Sequence, residues 1–228
     1  MTTPLISVIV PVLNDETSLT ATLRQWQSRR SEQIELVIVD GGSVDQSKTI
    51  AAPLADRVLS TTPGRAHQMN VGAGEATGNY LLFLHADTDV SASAFSALSH
   101  IAASHPGRWG FFHVRLNSGR AVFRLIETLM NWRARVTSVA TGDQCLFVAR
   151  NLFEREGGYK EIPLMEDVEV CKRLRKHGTP VIIKQRVSTS ARRWEKHGVI
   201  STILLMWRLR LAYFLGASPK KLHQQYYG

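Results

Sequence analysis

Two aspartates separated by one residue follow an apolar run near the middle of the sequence. In the stretch from Phe83 to Asp89, Asp87 and Asp89 flank Thr88. Their carboxylate oxygens are hard ligands that suit a divalent cation, which can in turn hold a diphosphate. The same spacing also favours an ordinary turn, because Asp side chains accept hydrogen bonds from nearby backbone N–H groups. The pair therefore predicts a metal site only if other acidic residues come to the same place.

The strands and helices predicted around this pair indicate where other acidic residues would lie beside it. Short, nearly unbroken apolar runs favour strands buried on both faces, and segments with helical spacing lie between them. The predicted strands are 5–12, 34–39, 57–60, 80–84, 109–116 and 145–148, and the predicted helices are 18–29, 46–55, a segment opening near 65, 94–103, 120–135 and 168–177. Asp40 directly follows the second strand, and Asp87 and Asp89 follow the fourth. Ligands of such sheets bind beyond the carboxyl ends of the strands, so we expect these three carboxylates at one edge.

Length and composition limit the size of the core and the kind of partner. The 228 residues suffice for one large core, and 28 Lys and Arg against 19 Asp and Glu give a net charge of +9. That excess indicates an anionic partner, which could be nucleic acid, an acidic lipid surface or a phosphorylated substrate. Cys145 and Cys171 lack metal spacing and are predicted to be reduced thiols of a cytoplasmic protein. The N-terminus does not read as a secretory signal.

A second acidic pair stands further along the chain. Glu166 and Asp167 open the predicted helix 168–177, where the helix dipole favours negative charge, so a plain N-terminal cap is one interpretation. The other is catalysis, because a carboxylate at such a position can accept a proton from an attacking hydroxyl. Gly142 and Asp143 form a similar case, since Asp143 could be a turn residue or a ligand contact. Arg65 could be a solvated residue at a helix start or a ligand contact.

Taken together, these motifs resemble those of the family-2 nucleotide-sugar glycosyltransferases of the GT-A fold, and most closely the short, single-domain bacterial members. The matching segments occur in the family's order, which is more specific than any one of them. They are 8–16, 37–45, 87–89, 142–144, 164–167 and, less closely, 193–194. The resemblance implies an α/β, Rossmann-like GT-A architecture with a mainly parallel central sheet and flanking helices.

The resemblance also assigns roles to residues. It implies that Pro11, Asn14 and Glu16 line the nucleotide pocket, that Asp40 receives the base, and that Arg65 lies near the nucleoside. It places Asp87 at the ribose and the metal, makes Asp89 the direct ligand of Mn²⁺ or Mg²⁺, and assigns Gly142, Asp143 and Glu166 to the acceptor or the sugar. Asp167 is our candidate for the catalytic base of an inverting displacement. The expected donor is a UDP- or GDP-sugar.

One segment departs from the family pattern. Processive members carry Gln-x-x-Arg-Trp, whereas here Ser190 stands at the Gln position of the five residues that end at Trp194. This argues against processive polymerisation. Arg192 and Arg193 remain candidates for binding the diphosphate or a phosphorylated acceptor, because a guanidinium suits bidentate contacts to oxyanions.

The last segment is distinct in composition. Residues 199–215 are mostly apolar and include two charged side chains, Arg208 and Arg210. The uninterrupted apolar part is too short to span a bilayer, which takes about 20 residues. We predict a GT-A domain over 1–198 and an amphipathic helical tail over 199–228. The tail could pack on its own domain, contact a second copy, or lie on an anionic membrane, which the neighbouring basic residues favour.

The sequence therefore predicts a metal-dependent, inverting glycosyltransferase that acts on an acceptor hydroxyl, with a lipid carrier or a small molecule as the alternatives for that acceptor. We expect it in the cytoplasm, with peripheral attachment to the inner face of the cell membrane as a further option. A catalytically silent nucleotide-sugar-binding or scaffold protein is the main rival. A nucleic-acid-binding module is disfavoured, because no basic motif interleaved with aromatic residues or recognition-helix pattern occurs.

Overall fold

One mixed sheet forms the centre of the protein. The computed structural model describes residues 5–27, 29 and 33–227, and within these ranges eight strands form the sheet in the order β3-β2-β1-β4-β7-β6-β8-β5. The first half consists of parallel strands, β1 (Ile6–Val12), β2 (Ile34–Asp40), β3 (Arg57–Ser60) and β4 (Tyr80–Phe83). Their carboxyl ends therefore lie along one edge, as the apolar runs predict.

The second half departs from a parallel arrangement. It consists of β5 (Thr88–Val90), β6 (Trp109–Asn117), β7 (Phe147–Ala149) and β8 (Val181–Ser190). Strand β7 is antiparallel to both β4 and β6, β8 is parallel to β6, and β5 is antiparallel to β8. The α/β fold class is thus confirmed, with a mixed sheet that is parallel mainly in the half formed by β1 to β4.

Helices flank the sheet. In chain order they are α1 (Glu16–Gln27), α2 (Ser47–Ala51), α3 (Arg65–Glu75), α4 (Ala92–Ser104), α5 (Ala121–Thr137), α6 (Arg150–Arg155), α7 (Glu166–Leu174), α8 (Arg192–His197), α9 (Val199–Phe214) and α10 (Pro219–Tyr227), with 3-10 turns at Gly142–Gln144 and Arg175–His177. Within the described ranges, none of these helices combines the length and apolar character needed to cross a bilayer.

The core explains why the strand runs are so apolar. Val8, Ile9, Val37 and Ile38 are fully buried, because helices cover both faces of the parallel half. A second, smaller cluster lies beneath α5 and contains Leu116, Phe123, Ile126 and Ala191, with Trp194, Val199 and Ile203 packed against it. Leu209 of α9 and Leu222 of α10 are buried in the main core. The last two helices therefore pack on the domain, while the boundary between residues 198 and 199 stays a prediction.

Helix α3 approaches β1 and β2 closely through one glycine. A Cβ on Gly72 would lie 2.6 Å from Ile9 Cγ2 and 2.9 Å from Val39 Cγ2, inside van der Waals contact. Gly74, on the same helix, has nothing within 4 Å of such a Cβ. The two glycines therefore differ only in what surrounds them, which makes them a matched pair.

We expect Gly72→Ala to lower the free energy of unfolding by about 1–3 kcal/mol, because the added methyl group overpacks the contact between α3 and the sheet. Gly74→Ala should raise it by up to about 1 kcal/mol through helix propensity. Urea denaturation of both variants checks this. Shifts of the same sign in the two variants would contradict the packing described for α3.

Candidate active site

The loops after β1 and β2 are hydrogen-bonded to each other. The Val44 N–H donates to Asn14 Oδ1 at 2.8 Å, and the Asn14 N–H donates to Ser43 Oγ at 2.9 Å. The Gln46 N–H donates to Glu16 Oε2 at 3.0 Å. Asn14 has a φ of +50°, in the left-handed region that Asn tolerates better than most residues. Asn14 and Glu16 thus hold the shape of this edge, and their contact with a nucleotide stays a prediction.

Asp40 ends β2 and is buried. Its carboxylate accepts hydrogen bonds from the Gly42 N–H at 3.1 Å and from the Ser43 N–H at 3.1 Å and 3.2 Å, which folds the loop back on the strand end. Pro11 lies in β1, opposite Val39 of β2. Both residues therefore occupy the sheet edge at which the sequence places the nucleotide base.

Gln68 is a positioning residue that the sequence analysis missed. Its buried Nε2 donates to the backbone carbonyls of Val12 and Val39, both at 2.9 Å, so one side chain joins the ends of β1 and β2. Its Oε1 accepts from the Gly64 N–H at 3.3 Å, and a Cβ on Gly41 would lie 3.0 Å from its amide group. The adjacent glycines were the available signal, because they leave room for a side chain from another element.

A cleft of about 600 Å³ lies beyond this edge. Its polar end is formed by side chains from several elements that are far apart in sequence. They are Arg65, His85, Asp87, Gly142, Asp143, Glu166, Asp167, Arg192 and Arg210. Apolar side chains of α5 and α9 line the other end. The cleft thus brings together most of the residues that the sequence assigns to metal, sugar and catalysis.

Asp87 and Asp143 repel each other across this cleft. Burial raises the pKa of Asp87, and the nearby Asp15 raises it further, while Arg192 opposes the shift. Burial also raises the pKa of Asp143 to about 6, and Asp87 adds to that effect. Burial is thus the main reason that both carboxylates are hard to ionise, and the charges of neighbouring carboxylates add to it.

Asp167 is held in place by backbone donors. Its Oδ2 accepts from the Gly142 N–H at 3.1 Å and its Oδ1 from the Val168 N–H at 2.7 Å. Met165, with a φ of +71°, turns the chain into α7 and sets the direction in which Asp167 leaves the backbone. The carboxylate therefore has one orientation, beside the segment that carries Asp143.

Arg65 and Glu166 contact each other. Arg65 Nη1 donates to Glu166 Oε1 at 3.3 Å, which links the first residues of α3 and α7 across 101 positions of sequence. Burial raises the pKa of Glu166, as does the charge of Asp167, while Arg65 lowers it. The ion pair therefore ties the predicted nucleoside contact to the predicted sugar contact.

His85 lies between β4 and Asp87, and the sequence analysis gave it no role. It lines the cleft, and a Cβ on Gly142 would lie 2.3 Å from its Cε1, so only glycine fits at position 142. Burial, with a contribution from the charge of Arg65, lowers the pKa of His85 to about 3. The imidazole is therefore neutral at pH 7 and packs directly against the segment that holds Asp167.

Arginines from the last third of the chain complete the cleft. Arg192 Nη2 donates to Ser18 Oγ at 2.8 Å and its Nε to Ser190 Oγ at 3.0 Å, so the serine at the family's Gln position orients the arginine. The side chain of Arg193 lies outside what the structure describes. Arg210 was predicted only as a break in an apolar tail, yet it lines the cleft and interacts electrostatically with Asp167 and Asp143.

Asp89 is the one predicted metal ligand that the structure does not bring to this cleft. It is exposed on β5, paired with Ser188 of β8, and it lines a separate surface cleft with Arg115, Lys184 and Arg186. Asp87 precedes β5 and faces the acidic cleft instead. The two carboxylates of the Asp-Thr-Asp motif therefore line different clefts, and their assignment as metal ligands stays a prediction.

The donor set fits a metal that is bound partly by substrate. Within the part of the chain that the structure describes, no group of three or more His, Cys, Asp or Glu side chains forms a ready metal site. Mg²⁺ and similar hard cations are often held by one or two carboxylates together with phosphate oxygens. Asp87, desolvated and crowded by other carboxylates, meets that requirement.

The cleft beyond the carboxyl ends of the parallel strands combines carboxylates with arginines, which suits a phosphorylated ligand bound with a cation. Residues 7–107 match the model of glycosyl transferase family 2. The structural neighbours are GT-A glycosyltransferases. They include TarS of S. aureus (TM-score 0.67, 17% identity, 82% of this chain and 60% of that chain) and the mannosyltransferase PcManGT of Pyrobaculum calidifontis (TM-score 0.65, 19% identity, 99% and 69%). The resemblance of residues 7–107 to family 2 and the GT-A fold of the chain are thus confirmed.

Curated relatives agree over part of the chain. A PGL/p-HBAD biosynthesis glycosyltransferase of Mycobacterium tuberculosis is 42% identical over 94 residues, which cover 38% of this chain and 37% of that protein. An uncharacterized glycosyltransferase of Haemophilus influenzae is 29% identical over 135 residues, or 54% of each chain. The matches thus span between about a third and about half of these relatives' lengths.

The raised pKa of Asp143 has a consequence for stability. The native state binds this proton more tightly than the unfolded chain, so ionising Asp143 costs stability above about pH 6, and the cost is absent below the unfolded pKa. We expect Asp143→Asn, without metal, to raise the free energy of unfolding at pH 7.5 by about 1–2 kcal/mol and to have little effect at pH 4.

Urea titrations at the two pH values in EDTA measure this difference. Asp45→Asn is the control of opposite sign, because hydrogen bonding from Ser47 lowers the pKa of Asp45 and its charge therefore stabilises the native state at pH 7.5. A pH-independent effect of Asp143→Asn would show that Asp143 is not ionised at a cost in the cleft.

Proposed function

We propose that this protein is a metal-dependent, inverting glycosyltransferase that transfers a sugar from a nucleoside diphosphate sugar to an acceptor hydroxyl. One observation carries the proposal: Asp87, Asp143 and Asp167 line a single cleft at the carboxyl edge of the parallel strands. Three carboxylates with distinct surroundings fit three tasks, which are metal binding, contact with the sugar and proton removal.

The donor lies toward the linked loops of β1 and β2 in this proposal. The nucleoside would meet Pro11, Asn14, Glu16 and Asp40, and Arg65 would lie between it and the sugar. Solved structures of the same fold support a nucleotide-sugar donor, since TarS is described with UDP-GlcNAc and PcManGT with GDP-Man and Mn²⁺. UDP- and GDP-sugars are therefore the first donors to test.

We place the metal at Asp87 rather than Asp89. A bound Mn²⁺ or Mg²⁺ would stabilise the negative charge that develops on the leaving diphosphate. Arg192, fixed by Ser18 and Ser190 on the side of Asp87, would add a guanidinium to the same oxyanion.

Asp167 is the proposed base. The acceptor oxygen would attack the anomeric carbon while the bond to the diphosphate oxygen breaks, and the hydroxyl proton would pass to Asp167. Its two backbone donors, Gly142 and Val168, leave the carboxylate fixed before substrate arrives, so little reorganisation is needed. Asp143 and Glu166 would bind hydroxyl groups of the transferred sugar.

For location we propose the cytoplasm, at the inner face of the cell membrane, and a lipid-carried acceptor. The net charge of +9 and the exposed apolar side chains of α5 and α9 support this proposal.

Metal-dependent donor binding distinguishes Asp87 from Asp89. We expect one of a set of UDP-, GDP- and dTDP-sugars to raise the melting temperature by several degrees with Mn²⁺, since a ligand that binds the native state shifts unfolding. Asp87→Asn should abolish the part of this shift that requires Mn²⁺, whereas Asp89→Asn should retain it. If Asp89→Asn lost the Mn²⁺-dependent shift and Asp87→Asn kept it, the metal would be assigned to Asp89. If no donor changed the melting temperature, a catalytically silent protein would be favoured.

Asp167→Asn separates catalysis from binding. We expect the variant to bind donor and Mn²⁺ as the wild type does and to lose transfer by about 10²–10⁴-fold, because it lacks the proton acceptor. Glu154→Gln, which removes one exposed carboxylate from α6, is the matched control and should keep full activity. Donor thermal shifts and product formation measure the two effects. Retained transfer in Asp167→Asn would remove Asp167 from the role of base.

A further inference from the structure

Helix α5 exposes a continuous apolar stripe. Val122, Leu125, Leu129, Trp132 and Val136 are all exposed, and Trp132 is 63% exposed. Their alternating spacing of three and four residues places them on one narrow side of the helix. A neighbouring side of α5 carries the buried Phe123 and Ile126. The helix is therefore apolar on two sides, and packing within this chain accounts for only one of them.

Helix α9 repeats this arrangement. Ile200, Leu204, Trp207, Leu211 and Phe214 follow the same spacing and are exposed, with Trp207 at 69%. The side of α9 that packs on the domain carries the buried Thr202 and Leu209. Among the described residues, the exposed large apolar side chains lie in these two stripes, apart from Leu13, Val44 and Leu215. Exposure of this kind is thus concentrated on two helices.

The two stripes meet at the mouth of the catalytic cleft. Leu129 and Trp132 of the α5 stripe and Trp207 of the α9 stripe line the same cavity as Asp87 and Asp167. The apolar surface is therefore continuous with the polar site. A molecule bound to the stripes by its apolar part can reach the site with its polar end.

Charge around the stripes selects between a membrane and a second copy of the chain. From residue 196 to the end of the sequence, the charged side chains are Lys196, Arg208, Arg210, Lys220 and Lys221, with no Asp or Glu. Two copies meeting through this surface would bring like charges together, whereas an anionic bilayer complements them. The 16 residues of α9 are too few to cross a bilayer.

We propose that the α5 and α9 stripes form a docking surface for an anionic lipid bilayer. We further propose, on the basis of the proposed function, that the acceptor is a membrane amphiphile whose hydroxyl enters the cleft between Trp132 and Trp207. Arg210 extends from α9 toward Asp143 and Asp167, so it would face the polar head of such a molecule. Helix α9 would then both contact the membrane and line the acceptor side of the site.

Co-sedimentation with vesicles of phosphatidylcholine and phosphatidylglycerol tests the docking surface. The double variant Leu125→Glu with Leu204→Glu changes two exposed stripe residues that do not line the cleft. We expect it to lower the partition coefficient at least about tenfold, since two charges must enter the interface. Ser96→Glu with Ala103→Glu adds the same charge on α4 and should bind as the wild type does. Equal binding of wild type and stripe variant would overturn the docking surface.

Two further readouts identify the occupant. Vesicles that contain dibrominated phosphatidylcholine should quench tryptophan emission of the wild type, and Trp207→Phe should reduce the quenching. Sedimentation velocity without lipid should show a monomer. A dimer that the stripe variant dissociates, together with no vesicle binding by the wild type, would overturn the proposal in favour of a second copy.

The acceptor class has its own test. With UDP and Mn²⁺ present, octyl glucoside below its micelle concentration should raise the melting temperature, whereas methyl glucoside at equal concentration should not. Equal effects of the two would overturn the amphiphilic acceptor. The donor thermal shift of the wild type is measured on the same preparations. Its absence, with vesicle binding intact, would contradict the proposed function and leave the docking surface in place.

Discussion

Burial of several carboxylates in one cleft is the constraint on which this site depends. Asp87, Asp143 and Asp167 share the cleft, and burial raises the pKa of Asp87 and of Asp143. The charge of Asp15 adds to the shift of Asp87, and the charges of Asp87 and Asp167 add to that of Asp143. A folded chain tolerates such a cluster only if cations or backbone donors oppose it. Arg192 and Arg210 supply part of that opposition, and two N–H groups hold Asp167. A divalent cation bound together with its substrate would further stabilise the ionised form of these buried carboxylates.

The tethers of the site join distant parts of the chain. Arg65 reaches Glu166 across 101 positions, and Arg192 reaches Ser18 across 174. Each contact joins a partly exposed arginine to a buried partner, so solvent screens the charge only in part. Their value lies in geometry, because each one fixes a charged side chain relative to an element that the sheet already holds. The core thus supplies the stability, and the tethers determine where the charges lie.

Sequence patterns predicted the strands correctly where a strand is buried along its whole length. The strands before Asp40 and Asp87 are apolar runs, and the residues at their ends lie at one edge as predicted. Strand β8 was missed because Lys184, Gln185 and Arg186 interrupt its apolar pattern and are exposed. Asp87 and Asp89 could not be told apart, because their directions depend on the pairing of β5 with β8. Gln68, His85 and Arg210 act through contacts across the fold, which local patterns do not encode.

The helices α5 and α9 show how one composition can serve two environments. Each packs one side on the domain and presents a heptad-spaced apolar stripe on another, so the domain uses only part of the apolar surface that the sequence encodes. An apolar side chain left in water forgoes about 25 cal/mol per Å² of the free energy that burial would provide. The exposed apolar residues at the mouth of the charged cleft are explained if the apolar part of a lipid bilayer covers them during the reaction. The acidic half and the apolar half of the cleft are then two ends of a single binding site.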